Sequence, residues 1–199
     1  MRIRIMDYGV GNLHSISKGL ERAGGQVEVV SDPASLIDAE CIVFPGVGAF
    51  GAAMRKLAPV LPELRSALLG GVPALGVCLG MQILFERSEE SSGEGVSVLK
   101  GGVRRLSAKR VPHMGWNDVV AADDALFEGV PSGSKFYFAN SYICLPQEKV
   151  GIAETEYGER FVSAVRRGLL CGVQFHPEKS GSPGLRLLSN FVRLAEDGS

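Results

Sequence analysis

The chain has 199 residues, 45% of them hydrophobic, and a formal net charge of -1. This length suffices for one sizeable core, and we expect a single domain over residues 1–199. The near-neutral charge gives no indication of nucleic acid as a partner, and no apolar run reaches the roughly 20 residues that span a bilayer. The first residues lack the apolar stretch and cleavage site of a signal peptide, so we expect a cytoplasmic protein with no membrane partner.

The first half of the chain alternates short apolar runs with segments of helical periodicity. The runs predict strands at 2–7, 26–30, 41–44 and 73–77. The periodic segments predict helices at 13–24, 52–57, 61–69 and 79–86. Asp32 before Pro33 is typical of the N-cap of a further short helix. Strands that alternate with helices indicate a parallel sheet with right-handed crossovers.

The second half of the chain has a different pattern. The stretch ERSEESSGEG (86–95) is polar, and we expect it to be flexible. Short segments with β-like alternation follow, at 102–106, 116–120, 136–142, 150–154, 161–165 and 169–175, before a last helix at 183–194. The prediction is therefore a three-layer α/β fold, with a central, mostly parallel sheet flanked by helices and a partly antiparallel extension in the second half.

Cys78 is the one cysteine whose setting suggests chemistry. It stands between Gly76 and Gly80 in GVCLGMQ, where a predicted strand ends and a predicted helix begins. This is the thiol form of the nucleophile elbow, a strained turn that tolerates only small neighbours, and the helix N-terminus favours the thiolate. A buried structural cysteine is the open alternative, and it is what we expect of Cys41, Cys144 and Cys171.

His176 is the best candidate among three histidines for the base that a nucleophilic cysteine needs. It follows a predicted strand in GVQFHPEKSG, and Glu178 stands two residues further on. Residues two apart in an extended segment point to the same side, so Glu178 can hold one ring nitrogen and leave the other for a thiol. The alternative is a structural histidine that makes its hydrogen bonds within a turn, with Glu178 exposed to solvent.

Acyl transfer also requires donors for an oxyanion. Candidates are the backbone N–H of Leu79 and the backbone of Gly46, Val47 and Gly48 in PGVGAFG, although the same glycines would suit a plain tight turn. The N-terminal DYGVGN lacks the third glycine of a dinucleotide loop, and the cysteines form no C-x-x-C pair. We therefore predict no cofactor and no metal site.

GVCLGMQ and FHPE together resemble the class I glutamine amidotransferase family, whose members hydrolyse glutamine with a Cys-His-Glu triad and hand ammonia to a synthase. DYGVGN, PHMGWN and EKSG narrow the resemblance to glutaminase subunits that serve a separate cyclase. The resemblance extends over essentially the whole chain. It implies the three-layer fold of that family.

The resemblance also implies roles for individual positions. Cys78 would be the nucleophile, His176 the acid and base, and Glu178 its orienting partner. Residues 46–48 would form an oxyanion strand whose backbone rotates before a donor faces the site. Side chains or backbone around the substrate would come from Gln82, Glu90, Ser141 and Tyr142. The surface toward the partner would include Asn12, His113, Met114, Trp116, Tyr137 and Lys179.

Asn140 departs from the family pattern, because a histidine is associated with that position. The position is outside the triad, so the departure affects only the expectation of a pH-sensitive group at the interface. The implied substrate is L-glutamine. The implied partner is a cyclase subunit with a (β/α)8 barrel, joined in a heterodimer.

Other functions remain open at this point. The chain could be the glutaminase of another pathway, such as pyridoxal phosphate or anthranilate synthesis, although PHMGWN argues against it. It could be a catalytically silent module that docks and regulates, which an intact triad argues against. A general cysteine peptidase is a third possibility, but the sequence gives no sign of an extended substrate groove.

Overall fold

The structure, a computed structural model, describes residues 1–10, 13–46 and 48–198. Four apolar runs of the first half form parallel strands: β1 (Arg2–Met6), β2 (Gln26–Val30), β3 (Cys41–Phe44) and β4 (Ala74–Val77). They lie in the order β2–β1–β3–β4. Every residue of β3 and β4 is buried, as expected of strands covered on both faces. The predicted parallel sheet is confirmed.

Helices cover both faces of this sheet. They are α1 (His14–Arg22), α2 (Phe50–Leu57), α3 (Leu61–Leu69), α4 (Leu79–Gln82) and α5 (Gly181–Asp197). Alternate residues of β3 enter two separate cores, one with α1 and α5 and the other with α2 and α3, which gives the three layers. None of the helices in the described ranges is both long and apolar enough to cross a membrane.

The N-cap predicted at Asp32 is present. Its carboxylate accepts a hydrogen bond from the Ala34 backbone N–H at 3.0 Å, at the start of a short 3₁₀ helix, Pro33–Leu36. The 3₁₀ helix leads the chain from the edge strand β2 into β3.

The helix that follows Cys78 is shorter than predicted. The apolar periodicity predicts a helix over 79–86, whereas α4 is a single turn. The Ile83 carbonyl accepts from Val96 N–H at 2.7 Å, and the Leu84 carbonyl accepts from Val98 and Leu99 N–H at 3.0 Å. These carbonyls are therefore bonded to a distant segment instead of to the next helical turn.

The remaining strands form an extension that is only partly antiparallel. They are β5 (Arg87–Ser88), β6 (Ser91–Glu94), β7 (Gly101–Arg105), β8 (His113–Ala121), β9 (Ser134–Asn140), β10 (Tyr142–Pro146), β11 (Gly151–Tyr157), β12 (Glu159–Arg167) and β13 (Leu170–Val173). The sheet continues from β4 as β13–β12–β10–β7–β5–β6, and β11 pairs both with β12 and with β8 of the β8–β9 hairpin. The stretch 86–95, which we expected to be flexible, contributes the short strands β5 and β6.

Candidate active site

Cys78 occupies a sharp turn between β4 and α4. Its backbone has φ 48° and ψ -104°, a conformation that L-residues rarely adopt and that surrounding structure must enforce. The Cys78 N–H donates to the Val173 carbonyl at 2.7 Å, and the Cys78 carbonyl accepts from the N–H groups of Met81 and Gln82. The turn is thus held by hydrogen bonds on both sides of the strained residue.

The two flanking glycines allow α4 to lie against the sheet. A Cβ at Gly76 would lie 2.4 Å from the Gly80 carbonyl oxygen, and one at Gly80 would lie 1.9 Å from the Phe44 carbonyl oxygen. Both contacts are with backbone that cannot move aside. The G-x-C-x-G spacing is therefore a packing requirement of this turn.

His176 and Glu178 are paired as the sequence suggested, but by a different backbone path. Nδ1 of His176 lies 2.8 Å from Oε1 of Glu178. His176 is extended, and Glu178 then lies in a 3₁₀ turn, Pro177–Lys179, so the predicted extended segment is wrong. Two further hydrogen bonds fix the histidine backbone: its N–H donates to the Tyr137 carbonyl at 2.8 Å, and its carbonyl accepts from Ser180 Oγ at 2.5 Å.

The charge on His176 depends on the two side chains that it contacts. Burial lowers the pKa of His176, but the neighbouring side chains of Cys78 and Glu178 outweigh burial and raise it to about 9. The imidazolium is therefore the favoured form at neutral pH. This is the arrangement expected when a histidine holds the proton of an activated thiol.

The other three cysteines have the opposite environment. Cys41, Cys144 and Cys171 are buried in the sheet and unpaired. Burial raises the pKa of the Cys41 and Cys171 thiols to about 12, and burial together with the nearby Cys78 raises that of Cys144 well above its ordinary value. These thiols stay protonated, so they are inert.

The predicted oxyanion segment approaches Cys78 and His176. A Cβ at Gly46 would lie 2.8 Å from His176 Cε1 and 2.9 Å from Cys78 Cβ, so only glycine fits there. Gly48 has φ +105°, in the region that favours glycine, and Val47 lies outside the described residues. Leu79 begins α4, where a backbone N–H has no acceptor within the helix.

Glu90, predicted to face the substrate, contacts the end of this segment. Its Oε2 accepts a hydrogen bond of 2.7 Å from the Phe50 N–H at the start of α2. Ala49, which precedes that helix, makes no side-chain cap. Glu90 therefore supplies the N-terminal cap of α2 from a distant part of the chain.

Gln82 lies in a chain of buried amides. Its Nε2 donates to the Tyr142 carbonyl and to Oε1 of Gln174, at 3.2 Å in each case. Nε2 of Gln174 lies 3.4 Å from Cys78 Sγ. Asn140 Nδ2 also donates to the Tyr142 carbonyl, at 3.0 Å. The Ser141 carbonyl accepts from another backbone N–H, so the carbonyls of 141 and 142 are both engaged within the protein.

Gln174 was absent from the sequence-based candidates. It stands two residues before His176, immediately after β13. That spacing is the same signal that led to Glu178. Gln174 lies outside every motif quoted from the sequence except GVQFHPEKSG, in which His176 and Glu178 gave the ionisable signal.

Four of the residues predicted to face a partner form a surface next to the base. Met114 and Trp116 project from β8 and are 64% and 55% exposed. The Trp116 ring meets the Tyr137 ring edge-on at 6.0 Å, and Lys179 Nζ lies 5.5 Å from the centre of the Tyr137 ring. We call Met114, Trp116, Tyr137 and Lys179 the aromatic surface.

His113 does not belong to this surface, which corrects its predicted role. It is 2% exposed, and its ring stacks between Phe138 at 4.6 Å and Tyr157 at 3.9 Å. Burial lowers the pKa of His113 to about 4, so the ring is neutral at physiological pH. Its side chain is therefore part of the protein's buried core. Asn12, also predicted here, lies outside the described residues.

Comparisons with known proteins identify the family of the chain. The family model for Glutamine amidotransferase class-I matches residues 4–195. The chain is 49% identical to imidazole glycerol phosphate synthase subunit HisH of Thermococcus kodakarensis, over 96% of this chain and all of that protein. It is 48% identical to the subunit of the same name from Moorella thermoacetica, over 96% of this chain and 94% of the other.

Solved structures share the fold at low identity. The structure of PurLQS from Thermotoga maritima has a TM-score of 0.74 at 20% identity, covering 96% of this chain and 97% of the other. A structure described as a glutamine amidotransferase has a TM-score of 0.75 at 20% identity, covering 98% of both chains. The predicted fold class is thereby confirmed. The chain belongs to the class-I glutamine amidotransferase family and, within it, to the HisH subunits of imidazole glycerol phosphate synthase.

Proposed function

We propose that this chain hydrolyses L-glutamine to glutamate and ammonia, as the glutaminase subunit of imidazole glycerol phosphate synthase in histidine biosynthesis. The observation that carries the proposal is the arrangement of Cys78, His176 and Glu178. A thiol on a strained turn contacts a buried imidazole, whose Nδ1 is 2.8 Å from a carboxylate. Family membership supports glutamine as the substrate.

The reaction follows from the position of each group. His176 takes the proton of Cys78 Sγ, and the thiolate attacks the carbonyl carbon of the substrate's side-chain amide. The oxyanion is held by the Leu79 N–H and by a donor from 46–48. His176 then gives its proton to the amide nitrogen, and ammonia leaves. Water, activated by His176, hydrolyses the γ-glutamyl thioester to glutamate and restores the thiol.

Glu178 and Gln82 support this reaction without forming bonds to the substrate carbonyl. Glu178 holds the His176 Nδ1–H and stabilises the imidazolium that forms in each half-reaction. Both hydrogens of Gln82 Nε2 already have protein acceptors, so its oxygen is the atom left to accept from the substrate's ammonium group. We propose Glu90 and the backbone of Ser141 and Tyr142 as the rest of that pocket.

The ammonia is passed to a partner. At neutral pH, free ammonia in water is mostly ammonium, which is not nucleophilic, so a dry channel to the second active site preserves it. We propose that a cyclase subunit with a (β/α)8 barrel binds over the aromatic surface in a heterodimer. There a lyase reaction joins the ammonia to a phosphoribulosyl formimino aminoimidazole carboxamide ribonucleotide, giving imidazole glycerol phosphate and aminoimidazole carboxamide ribonucleotide. Four unpaired cysteines support a cytoplasmic location for the complex.

The test is glutamine hydrolysis by the chain with and without the cyclase and its nucleotide substrate. Cys78→Ala removes the nucleophile, so turnover should fall to background in every condition. Cys41→Ala is the matched control, because it removes an equally unpaired thiol from β3, and it should keep turnover. Turnover retained by Cys78→Ala contradicts the proposal. Ammonia transfer to the cyclase, and none to the synthases of pyridoxal phosphate or anthranilate, distinguishes the pathways.

A further inference from the structure

Gln174 is a fully buried amide that joins the nucleophile to Gln82. Its side chain has no exposed surface. One end lies 3.4 Å from Cys78 Sγ and the other end lies 3.2 Å from the Gln82 amide. A buried amide next to a reactive sulfur can either donate a hydrogen bond to it or repel it, depending on which end faces the sulfur.

A backbone carbonyl decides which end that is. The Tyr142 carbonyl can only accept, so the end of Gln82 that faces it must be the NH2 group. The same nitrogen faces Gln174, so the Gln174 atom at that contact must be the oxygen. The NH2 group of Gln174 then faces Cys78 Sγ. Asn140 also donates to the Tyr142 carbonyl, so both lone pairs of that carbonyl oxygen accept hydrogen bonds.

We propose that Gln174 is a catalytic residue, whose Nε2–H donates a hydrogen bond to Cys78 Sγ and stabilises the thiolate, while Gln82 and the Tyr142 carbonyl hold it in that orientation. The inference rests on the proposed function, because it requires Cys78 to be the nucleophile. A donor to an anion forms a stronger hydrogen bond than a donor to a neutral thiol, so Gln174 favours the charged form.

The local structure explains why such a donor is needed. Cys78 is 94% buried, and a buried thiolate is costly unless donors surround it. The helix that begins at Leu79 has only one turn, so its dipole is small. The His176 imidazolium supplies one donor, and Gln174 supplies another from a second direction.

The experiment measures how readily Cys78 forms a thiolate. The full-length chain, alone and with the cyclase, is treated with iodoacetamide across a pH series, and modification of Cys78 is followed by peptide mass spectrometry. Gln174→Met keeps the volume and removes the donor, so we expect the pH midpoint of alkylation to rise by about one unit, roughly a tenfold loss of thiolate at neutral pH. Gln174→Glu places a carboxylate at the sulfur, so its midpoint should rise further.

Ser163→Ala is the matched control. Ser163 is as deeply buried as Gln174, and its backbone carbonyl accepts from the Gln174 N–H, but its side chain makes no hydrogen bond to the sulfur among the described residues. Its alkylation midpoint should equal that of the unaltered chain. Gln82→Met keeps Gln174 but removes the partner that orients it, so it should raise the midpoint by less than Gln174→Met.

An alkylation midpoint unchanged in folded Gln174→Met overturns the inference. If the Gln174 variants do not fold, Gln82→Met decides, and an unchanged midpoint there has the same meaning. Failure of the proposed function looks different, because Cys78 would then resist alkylation in the unaltered chain or Cys78→Ala would keep its glutaminase activity.

Discussion

The proposed nucleophile, Cys78, and the proposed base, His176, come from regions of the sheet that are built in opposite ways. Cys78 directly follows β4, which lies between two parallel neighbours and is buried along its whole length. His176 also follows a buried strand, but its backbone is hydrogen-bonded to Tyr137 in the β8–β9 hairpin, which carries the aromatic surface. The core therefore fixes the position of the Cys78 sulfur. His176, by contrast, is hydrogen-bonded directly to the hairpin whose exposed surface a partner can contact.

The largest expected effect comes from breaking the buried side of this comparison. Gly80→Ala forces a Cβ against the Phe44 carbonyl, so α4 must move away from the sheet and the Cys78 turn opens. We expect about 3 kcal/mol of lost stability and no measurable glutamine hydrolysis. Urea unfolding and glutaminase assays measure both quantities.

Gly151→Ala is the control for that substitution. The new Cβ would lie 3.4 Å from Val162, an ordinary contact, and Gly151 has a backbone conformation that alanine accepts. It should change stability by less than about 0.5–1 kcal/mol. A Gly80→Ala protein of unaltered stability would show that the close approach of α4 to β3 is dispensable.

The base side gives the next largest effect. Burial lowers the pKa of His176, and contacts with Cys78 and Glu178 raise it to about 9, above the 6.5 of an ordinary histidine. Folding is therefore favoured by proton binding: this contribution to stability is complete below about pH 6.5 and is lost as pH rises through about 9. Its full size is roughly 3 kcal/mol.

Glu178→Gln tests this linkage. The amide cannot stabilise the imidazolium, so the pKa of His176 should fall and the loss of stability between pH 6.5 and 9 should shrink. Glutamine turnover should fall by about 10²–10⁴. NMR titration of His176 and urea unfolding across the pH range measure the change. Glu63→Gln, on the exposed face of α3, is the control, and an equal flattening of its stability profile would refute the assignment.

The sequence predicted the elements of the parallel half well, because their patterns are local. Apolar runs, the Asp32 cap and the G-x-C-x-G spacing each reflect contacts within a few residues. The length of α4 could not be predicted, because segment 96–99, far along the chain, takes the carbonyls that would continue the helix.

The errors in the site have the same origin. His113 looked like an exposed motif residue, but it is core because Phe138 and Tyr157 stack on it from other strands. Gln174 gave no ionisable signal, and its position becomes meaningful only when Gln82 and Cys78 are seen on either side of it. Cys78, His176 and Glu178 could be proposed from the sequence because cysteine and histidine are rare in it and Glu178 stands two residues after His176.

The smallest of the expected effects comes from the exposed side of the comparison. Trp116→Ala removes the largest exposed ring of the aromatic surface, so affinity for the cyclase should fall by about 10- to 100-fold, the range of an interface anchor. Leu69→Ala removes a similarly exposed apolar side chain from α3, on the opposite face of the sheet, and should leave the affinity unchanged. Titration calorimetry measures both, and equal affinities would place the docking surface elsewhere. Because Trp116 contacts Tyr137, whose carbonyl holds the His176 N–H, we also expect weaker stimulation of glutamine hydrolysis at saturating cyclase. Weaker stimulation at saturating cyclase would show that the aromatic surface positions His176 in addition to binding the cyclase.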